Sequence, residues 1–480
     1  MLANSLIKQC SYINGQWVES EVVFPVVNPA NGAKLVDVYD SGLEGAEQAI
    51  EAAAEAFPYW SEKTAQQRAD ILLKWHQAIL ENQTELARIL TLEQGKPLAE
   101  AQGEIGYSAS FLQWFAEEGK RIYGDIIPQT NSSQRMLVIK QPVGVVAAIT
   151  PWNFPSAMIV RKAAAALAAG CTFVVRPDPQ TPLSALALAE LAEQAGVPQG
   201  VFNVVIAHDA QKVGEVLTKH PKVAKFTFTG STRVGKILMS QCSEGVKKMS
   251  MELGGNAPFI VFDDADIELA INGAITSKYR NAGQTCICTN RIFVHQDIAS
   301  IFIPKYVDAI KTLIVGDGLQ PNVNIGPLIS KQAVNQISAK VNKSLEMGAT
   351  LALGSDELSL GENYYQPTVL TNVTQDMPIA SDEIFGPVSA ILTFENEQDV
   401  IKNANNTEAG LAAYIYSENI SRVMRTAEQL EYGMIGINDI QISNAVAPFG
   451  GVKQSGFGRE GSKYGLDDYL NIKYICLGNI

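Results

Sequence analysis

From Met136 onward the chain repeats one pattern: a short apolar run of strand character, a turn, then a helix. The runs VGVVAAIT, CTFVVRP, VFNVVIA and KFTFTG alternate with helical stretches at Arg161 to Ala169, SALALAELAEQAG, DAQKVGEVLTKH and Val234 to Cys242, and KKMSMELGG ends the series. Strands that stay apolar along their whole length, with helices between them, build a parallel sheet covered on both faces. A second series of the same kind runs from about Pro258 to Asn438, with APFIVF, NRIFVH, VSAILTF and GMIGIN as its strands. Ahead of both lies a long helical region beginning at SGLEGAEQAI, Ser41 to Ile50, and punctuated by Pro58, Gly95 and Pro97. At 480 residues the chain exceeds what one core can hold. The simplest architecture is two α/β lobes in contact, with a ligand cleft between them.

Charge and patterning narrow the function. A formal net charge of −13 argues against a nucleic-acid partner, which requires a basic surface. The start, MLANSLIKQCSYINGQW, contains no apolar signal core. The longest low-charge run, KAAAALAAGCTFVVRP, is broken by Gly170 and bounded by Lys162 and Arg176, so it is too short to span a bilayer. These features predict a cytoplasmic enzyme without a membrane or nucleic-acid partner.

The loop NAGQTCICTNR, Asn281 to Arg291, holds two of the six cysteines, Cys286 and Cys288. Three chemistries fit such a pair: half of a metal site, a redox couple, or one nucleophile with an incidental neighbour. The four histidines show no ligand spacing and no second CxC or CxxC exists, which disfavours metal. Gly283, Gln284 and Thr285 give Cys286 a polar, flexible approach, as suits a thiol presented to a substrate, although an isolated cysteine is more often inert core filling. Cys288, two residues on, would point to the same side if the segment were extended.

Three further stretches could serve such a nucleophile. SMELGGN places Glu252 at a strand end, where a carboxylate facing a cleft can act as a general base, and Gly254 and Gly255 permit turning and close approach of a ligand. Taken alone, Glu252 is as well read as a solvated carboxylate. FTFTGSTRVG puts Gly230, Ser231 and Gly235 where backbone amides at a helix N-terminus can meet a phosphate, without the GxGxxG fingerprint. TPWNFP, Thr150 to Pro155, is a stiff turn whose Asn153 is either an oxyanion donor or part of a rigid corner with Trp152 and Phe154 in the core.

Together these pieces resemble the aldehyde dehydrogenase superfamily. The resemblance runs the whole length of the chain, through INGQW, NPANG, TPWNFP, FTGSTRVG, ELGGN, GQTC and EIFGPV to PFGGVKQSGFGREG, and is greatest to the succinate-semialdehyde dehydrogenase branch. It implies an α/β, two-lobed fold: a Rossmann-like cofactor domain (1–122 and 142–253), an α/β catalytic domain (254–452), and an oligomerisation arm with the C-terminal segment (123–141 and 453–480). It implies Cys286 as nucleophile, Asn153 with the Cys286 backbone N–H as oxyanion donors, and Glu252 as the base that activates the hydrolytic water. Thr150, Pro151, Trp152, Gly230, Ser231, Gly235, Leu253, Glu383 and Phe385 match cofactor positions.

The same resemblance makes Arg161 and Arg280 a clamp for a substrate carboxylate, supported by Ser443, because arginine forks suit carboxylates. Succinate semialdehyde is the implied substrate, with glutarate semialdehyde or a broader aldehyde range as alternatives, since one methylene changes binding by only about 1–3 kcal/mol. The segment VVRPDPQTP departs from the family pattern. Arg176 stands where the family has a lysine, and Pro179 where NAD-preferring members carry a glutamate, which favours NADP while keeping NAD in use; Asp178 is placed to pair with Arg176. Some relatives with this CxC use it as a redox switch, which makes Cys288 a redox candidate. A homodimer or homotetramer is implied, with contacts through Gln134 to Gln141 and the C-terminal strand.

Overall fold

The computed structural model describes residues 5–354 and 358–479. Two antiparallel hairpins come first, β1 (Ser11–Ile13) with β2 (Gln16–Val18), then β3 (Val23–Val27) with β4 (Lys34–Tyr39). Helices α1 (Gly42–Glu62), α2 (Ala65–Glu81), α3 (Gln83–Gln94) and α4 (Leu98–Glu118) follow. Pro58 does not break this region as the sequence suggests; it lies inside α1, on an exposed face, with little more than one further turn of helix after it. Thr64 opens α2 with a reciprocal capping box to Gln67. Gly95 does end α3: its φ of +98° is left-handed, and the rings of Pro327 and Pro29 occupy the space a side chain would need.

The central unit builds β7 (Val145–Ile149), α5 (Ala157–Ala169), β8 (Thr172–Arg176), α6 (Pro182–Gln194), β9 (Phe202–Val204), α7 (Ala210–Lys219), β10 (Val223–Thr229), α8 (Thr232–Cys242) and β11 (Lys248–Glu252), after β5 (Asp125–Ile127) and β6 (Gln134–Pro142). Its sheet has the order β2-β1-β9-β8-β7-β10-β11 plus a short edge strand from near the chain's end. The five strands from β9 to β11 are parallel, and β7 and β8 are buried at every residue, as their unbroken apolar runs predict. Strand order reverses between β7 and β10. In such sheets the crevice at the carboxyl ends of the strands around the reversal receives the ligand.

The second unit follows directly: β12 (Ala257–Val261), α9 (Ile267–Tyr279), β13 (Thr289–His295), α10 (Gln296–Ile310), α11 (Lys331–Glu346), β14 (Thr350–Leu353), β15 (Thr368–Thr371), α12 (Pro378–Ser381), β16 (Val388–Phe394), α13 (Glu397–Asn405), β17 (Ala409–Gly410), β18 (Ala412–Tyr416), α14 (Ile420–Gln429) and β19 (Met434–Ile437). Its seven strands run β14-β15-β16-β13-β12-β18-β19, parallel except at β14. Only four residues, Leu253 to Asn256, separate β11 from β12. The carboxyl edge of the first sheet therefore meets the amino edge of the second.

The last segment returns to both. Following β20 (Val452–Lys453), β21 (Gly456–Phe457) pairs with β11, placing Gly456 opposite Glu252. Finally β22 (Leu470–Gly478) pairs along the full length of β6, and with β5 makes a separate three-stranded sheet carrying exposed Ile126, Ile472 and Tyr474. Among the described residues no helix is long and apolar enough to cross a membrane.

Candidate active site

The two facing sheet edges enclose a cavity of about 740 Å³. The loops after β7, β10 and β11 bring Asn153, Gly230, Ser231 and Glu252 to its wall, and the loops before β13 and β16 bring Cys286, Glu383 and Phe385. Pro151, Trp152, Leu253, Arg161, Arg280 and Ser443 line it as well. Thr150, Arg176, Pro179, Gly235 and Cys288 lie outside the lining.

The nucleophile loop has an unusual backbone. Asn281, Ala282 and Gly283 all take left-handed φ values, +51°, +54° and +74°, a costly run for the two residues that carry a Cβ. Hydrogen bonds hold it: the Asn281 N–H donates to Glu100 Oε2 (2.7 Å), and its side-chain amide donates to the carbonyls of Asn153 (3.0 Å) and Gln284 (3.3 Å). A tight turn follows, closed by the Cys288 N–H donating to the Thr285 carbonyl at 3.2 Å. Cys286 sits on its outer corner, facing the cavity. The extended segment that would align the two sulfurs is thus absent. Cys288 is buried, with its thiol against the carbonyls of Lys278 and Thr289, both at 3.4 Å. Gly255 lies so close to the Cys286 carbonyl that any side chain there would collide with it; this glycine admits the chain itself rather than a ligand.

Glu252 is 3% exposed and neither carboxylate oxygen has a hydrogen-bond partner among the described residues. Burial, then the charge of Glu460, pushes its carboxyl well above the ordinary range, against the pull of Arg161 and Lys162. Burial, then Glu383 and Glu252, pushes the Cys286 thiol up to about 12, with Arg161 and Arg280 acting the other way. Asn153 donates one amide hydrogen to the Gln284 carbonyl at 3.0 Å, which fixes the amide's orientation and leaves its second N–H for another acceptor.

At the far end of the cavity, Arg161 is fully buried over the Phe449 ring, 4.1 Å from its centroid. Its Nε lies 2.6 Å from Glu460 Oε2 without the alignment of a hydrogen bond, and its Nη2 has no partner among the described residues. Arg280 has no carboxylate within 4.0 Å among the described residues and stands over the Phe154 ring at 5.5 Å. The Ser443 hydroxyl meets the Tyr107 hydroxyl at 2.7 Å. Tyr107, Glu460 and Lys162 are the residues missed by sequence reasoning. Glu460 binds both Arg161 and Lys162, and the adjacent cations in an otherwise alanine-rich helix were the available signal: in a buried helix they demand a counter-ion.

The crevice beside the cavity fits a dinucleotide, though not through the glycine amides. The Gly230 N–H is spent on the Glu252 carbonyl (3.0 Å) and the Gly235 N–H on the Ser231 carbonyl (2.9 Å). Ser231 caps α8, accepting from Val234 N–H at 3.4 Å, so the free donors are the Thr232 and Arg233 amides at the helix's positive end. Gly235 instead admits Leu253, whose Cδ2 would stand 2.6 Å from a Cβ. Thr150 Oγ1 and Arg176 Nε are buried and unpartnered among the described residues. The Arg176 Nη2 donates to the Ala207 carbonyl at 2.9 Å, and Asp178 accepts from Gln180 N–H at 3.0 Å. The pairing of Arg176 with Asp178 is not made: no such ion pair within 4.0 Å exists among the described residues. Glu383 accepts from Gly255 N–H at 3.1 Å, and burial, partly offset by that bond and by Lys340, pushes its carboxyl up to about 7. Phe385, at a left-handed φ of +54°, meets Trp152 edge-on at 5.6 Å.

The aldehyde dehydrogenase family model matches residues 17–475. The chain is 56% identical to a 3-sulfolactaldehyde dehydrogenase of Pseudomonas putida (99% of this chain, 98% of that one). It is 54% identical to the NADP-dependent succinate-semialdehyde dehydrogenase of Escherichia coli K12 (99% of each) and 53% identical to a glutarate-semialdehyde dehydrogenase of Pseudomonas aeruginosa (99% of each). A crystal structure described as an E. coli NADP-dependent enzyme superposes with a TM-score of 0.98 at 54% identity over 100% of both chains. The chain belongs to the aldehyde dehydrogenase family and is an NAD(P)-dependent aldehyde dehydrogenase.

Proposed function

We propose that this enzyme oxidises a short aldehyde carrying an anionic group at its far end, with succinate semialdehyde as the first candidate. The observation that carries this reading is the pair Arg161 and Arg280, both lining the cavity that Cys286 enters, one with a free Nη2 and the other with no carboxylate partner among the described residues. A free Nη2 on one guanidinium and an unpaired second guanidinium on the wall of the same cavity call for an anion. The relatives named for succinate, glutarate and 3-sulfolactaldehyde substrates all act on aldehydes of that description, which supports the class and leaves the chain length and head group to be measured.

The residues divide the work. Cys286 adds to the aldehyde carbon, and the oxyanion receives the free N–H of Asn153 and the Cys286 backbone N–H. The thiol must first lose its proton, and Glu252, buried, unpartnered among the described residues and raised in proton affinity, is the acceptor. Bound NAD(P) supplies the hydride acceptor. Glu383, Phe385, Thr150, Trp152 and the start of α8 would hold it, with residues 1–122 and 142–253 forming the cofactor unit. Once the acyl group is a thioester on Cys286 and Glu252 has released the thiol proton to solvent, Glu252 takes a proton from the attacking water, the carbon–sulfur bond breaks, and the carboxylic acid leaves with the thiolate restored on Cys286. Buried Arg176 and the missing carboxylate at Pro179 favour NADP over NAD. The exposed apolar side chains on β5 and β22 suit a contact between copies in a dimer or tetramer.

Purified enzyme assayed on succinate semialdehyde, glutarate semialdehyde, 3-sulfolactaldehyde and butanal, each with NAD and NADP, tests the reading. The expected outcome is a kcat/KM for at least one anionic aldehyde about a hundredfold or more above butanal, the worth of one to two charged hydrogen bonds. Equal values for butanal and all three anions would refute it.

A further inference from the structure

Lys96, between α3 and α4, is 2% exposed and has no part in the chemistry above. Its ammonium donates to Glu104 Oε2 at 2.6 Å and to the backbone carbonyl of Asn153 at 2.8 Å, and lies 3.8 Å from the centroid of the Phe154 ring. The other oxygen of Glu104 accepts the N–H groups of Ser156 (3.0 Å) and Ala157 (3.2 Å), at the start of α5. One buried ion pair thus grips the Asn153 loop at its centre and at its end. The same Asn153 carbonyl accepts from Asn281 Nδ2, and Asn281 Oδ1 accepts from Gln94 Nε2 at 3.0 Å, while Gln94 Oε1 accepts the Lys96 N–H at 3.0 Å. The short run from Gln94 to Lys96 is therefore bonded to both loops that supply the oxyanion donors.

We propose that Lys96 is a positioning residue for oxyanion stabilisation: its ammonium fixes the Asn153 peptide so that the Asn153 amide stays aimed at an oxygen held over Cys286. This rests on the reading of Asn153 as an oxyanion donor. Such a donor acts through preorganisation, and a small displacement of its backbone forfeits much of its effect.

The test compares two reactions of Cys286 in the full-length enzyme without cofactor. Attack on p-nitrophenyl acetate passes through an oxyanion. Alkylation by iodoacetamide forms a carbon–sulfur bond and releases iodide and the thiol proton, with no oxyanion. In K96M/E104Q, which removes both buried charges together, ester turnover and kcat for aldehyde oxidation are expected to fall together by about tenfold to a hundredfold, short of the roughly 10²–10³ of an oxyanion donor itself. The KM for aldehyde and the alkylation rate stay close to the parent's. Unchanged ester turnover, or alkylation that falls in step with it, overturns the proposal, the second because it marks a general collapse of the site. Should that protein not fold, Lys96→Gln decides by the same split at smaller amplitude. Asn153→Ala is the reference. If it leaves ester turnover intact, the oxyanion reading itself fails and the role of Lys96 falls with it. If it lowers turnover and the Lys96 variants do not, only Lys96 is wrongly assigned.

Discussion

Glu460 lies 2.6 Å from Arg161 Nε and leaves Nη2 of the same guanidinium without a partner among the described residues. The same carboxylate binds Lys162 and raises the proton affinity of Glu252. Glu460→Gln removes one negative charge and leaves two buried cations short of a partner. Glu252 then ionises more easily. Because activity falls as Glu252 takes up its proton, the acid limb of the kcat profile moves to lower pH. Stability drops by up to about 3–5 kcal/mol, the cost of breaking a buried pair, lessened by whatever hydrogen bonds the amide keeps. A pH–rate profile and a denaturant titration check both.

Arg280 has no such tether among the described residues, so its loss acts chiefly on the substrate and, as the last of the charges acting on the thiol, only weakly on Cys286. Arg280→Ala is expected to lower kcat/KM for an anionic aldehyde by about 1.5–3 kcal/mol, roughly ten- to a hundredfold, as for a hydrogen bond to a charged group. Butanal turnover should change little. A parallel loss on butanal would mean that Arg280 shapes the loop rather than the specificity.

Ser443 and Tyr107 share one hydrogen bond at 2.7 Å. Tyr107→Phe and Ser443→Ala each remove it, at about 1 kcal/mol in KM for the anionic aldehyde. The double variant should cost no more than the larger single effect, since residues joined in one bond do not add. A double-mutant cycle on KM measures this; additive effects would separate the two hydroxyls.

Much of this site was legible in the sequence because its chemistry rides on short local motifs at strand ends. The apolar runs that become β7, β8 and β10 announce a parallel sheet, and their carboxyl ends carry Asn153, Arg176 and Gly230 to one crevice. What remained hidden is tertiary. Glu460 reaches Arg161 only because β21 pairs with β11, and Lys96 reaches Asn153 only because α4 packs across α5. Nothing near Lys96 or Glu460 in the chain indicates those partners. Cys288 departs from the extended position its spacing predicts for a local reason: the Asn281–Gly283 run is left-handed and Thr285 to Cys288 form a turn.

The Cys286 thiol, held near 12 mainly by burial and then by Glu383 and Glu252, is protonated in the free enzyme at neutral pH. Its alkylation by iodoacetamide should therefore keep rising through pH 9.0, the ordinary value of a thiol, without a plateau. Glu383→Gln removes the charge that opposes the thiolate most strongly after burial. The thiol becomes easier to ionise, and alkylation at neutral pH should be faster than in the parent. A plateau well below pH 9.0 in the parent would show that the site already carries a thiolate before cofactor or substrate arrives.

The proposed preference for NADP rests on a charge that is missing at residue 179. Arg176 ends β8 with Nη2 on the Ala207 carbonyl and Nε unpartnered among the described residues, and Asp178, occupied with its own turn, acts on it through charge without a direct ion pair. A carboxylate at 179 would accept from a free ribose hydroxyl and repel a 2′-phosphate. Pro179→Glu is expected to lower kcat/KM for NADP relative to NAD by about tenfold or more, the equivalent of roughly 1.4 kcal/mol of like-charge repulsion. Arg176→Ala should weaken NADP more than NAD, because only the phosphorylated ribose offers an anion to that guanidinium. If the parent already turns over NAD about tenfold better than NADP, Arg176 serves the Ala207 carbonyl alone and the lean to NADP is wrong.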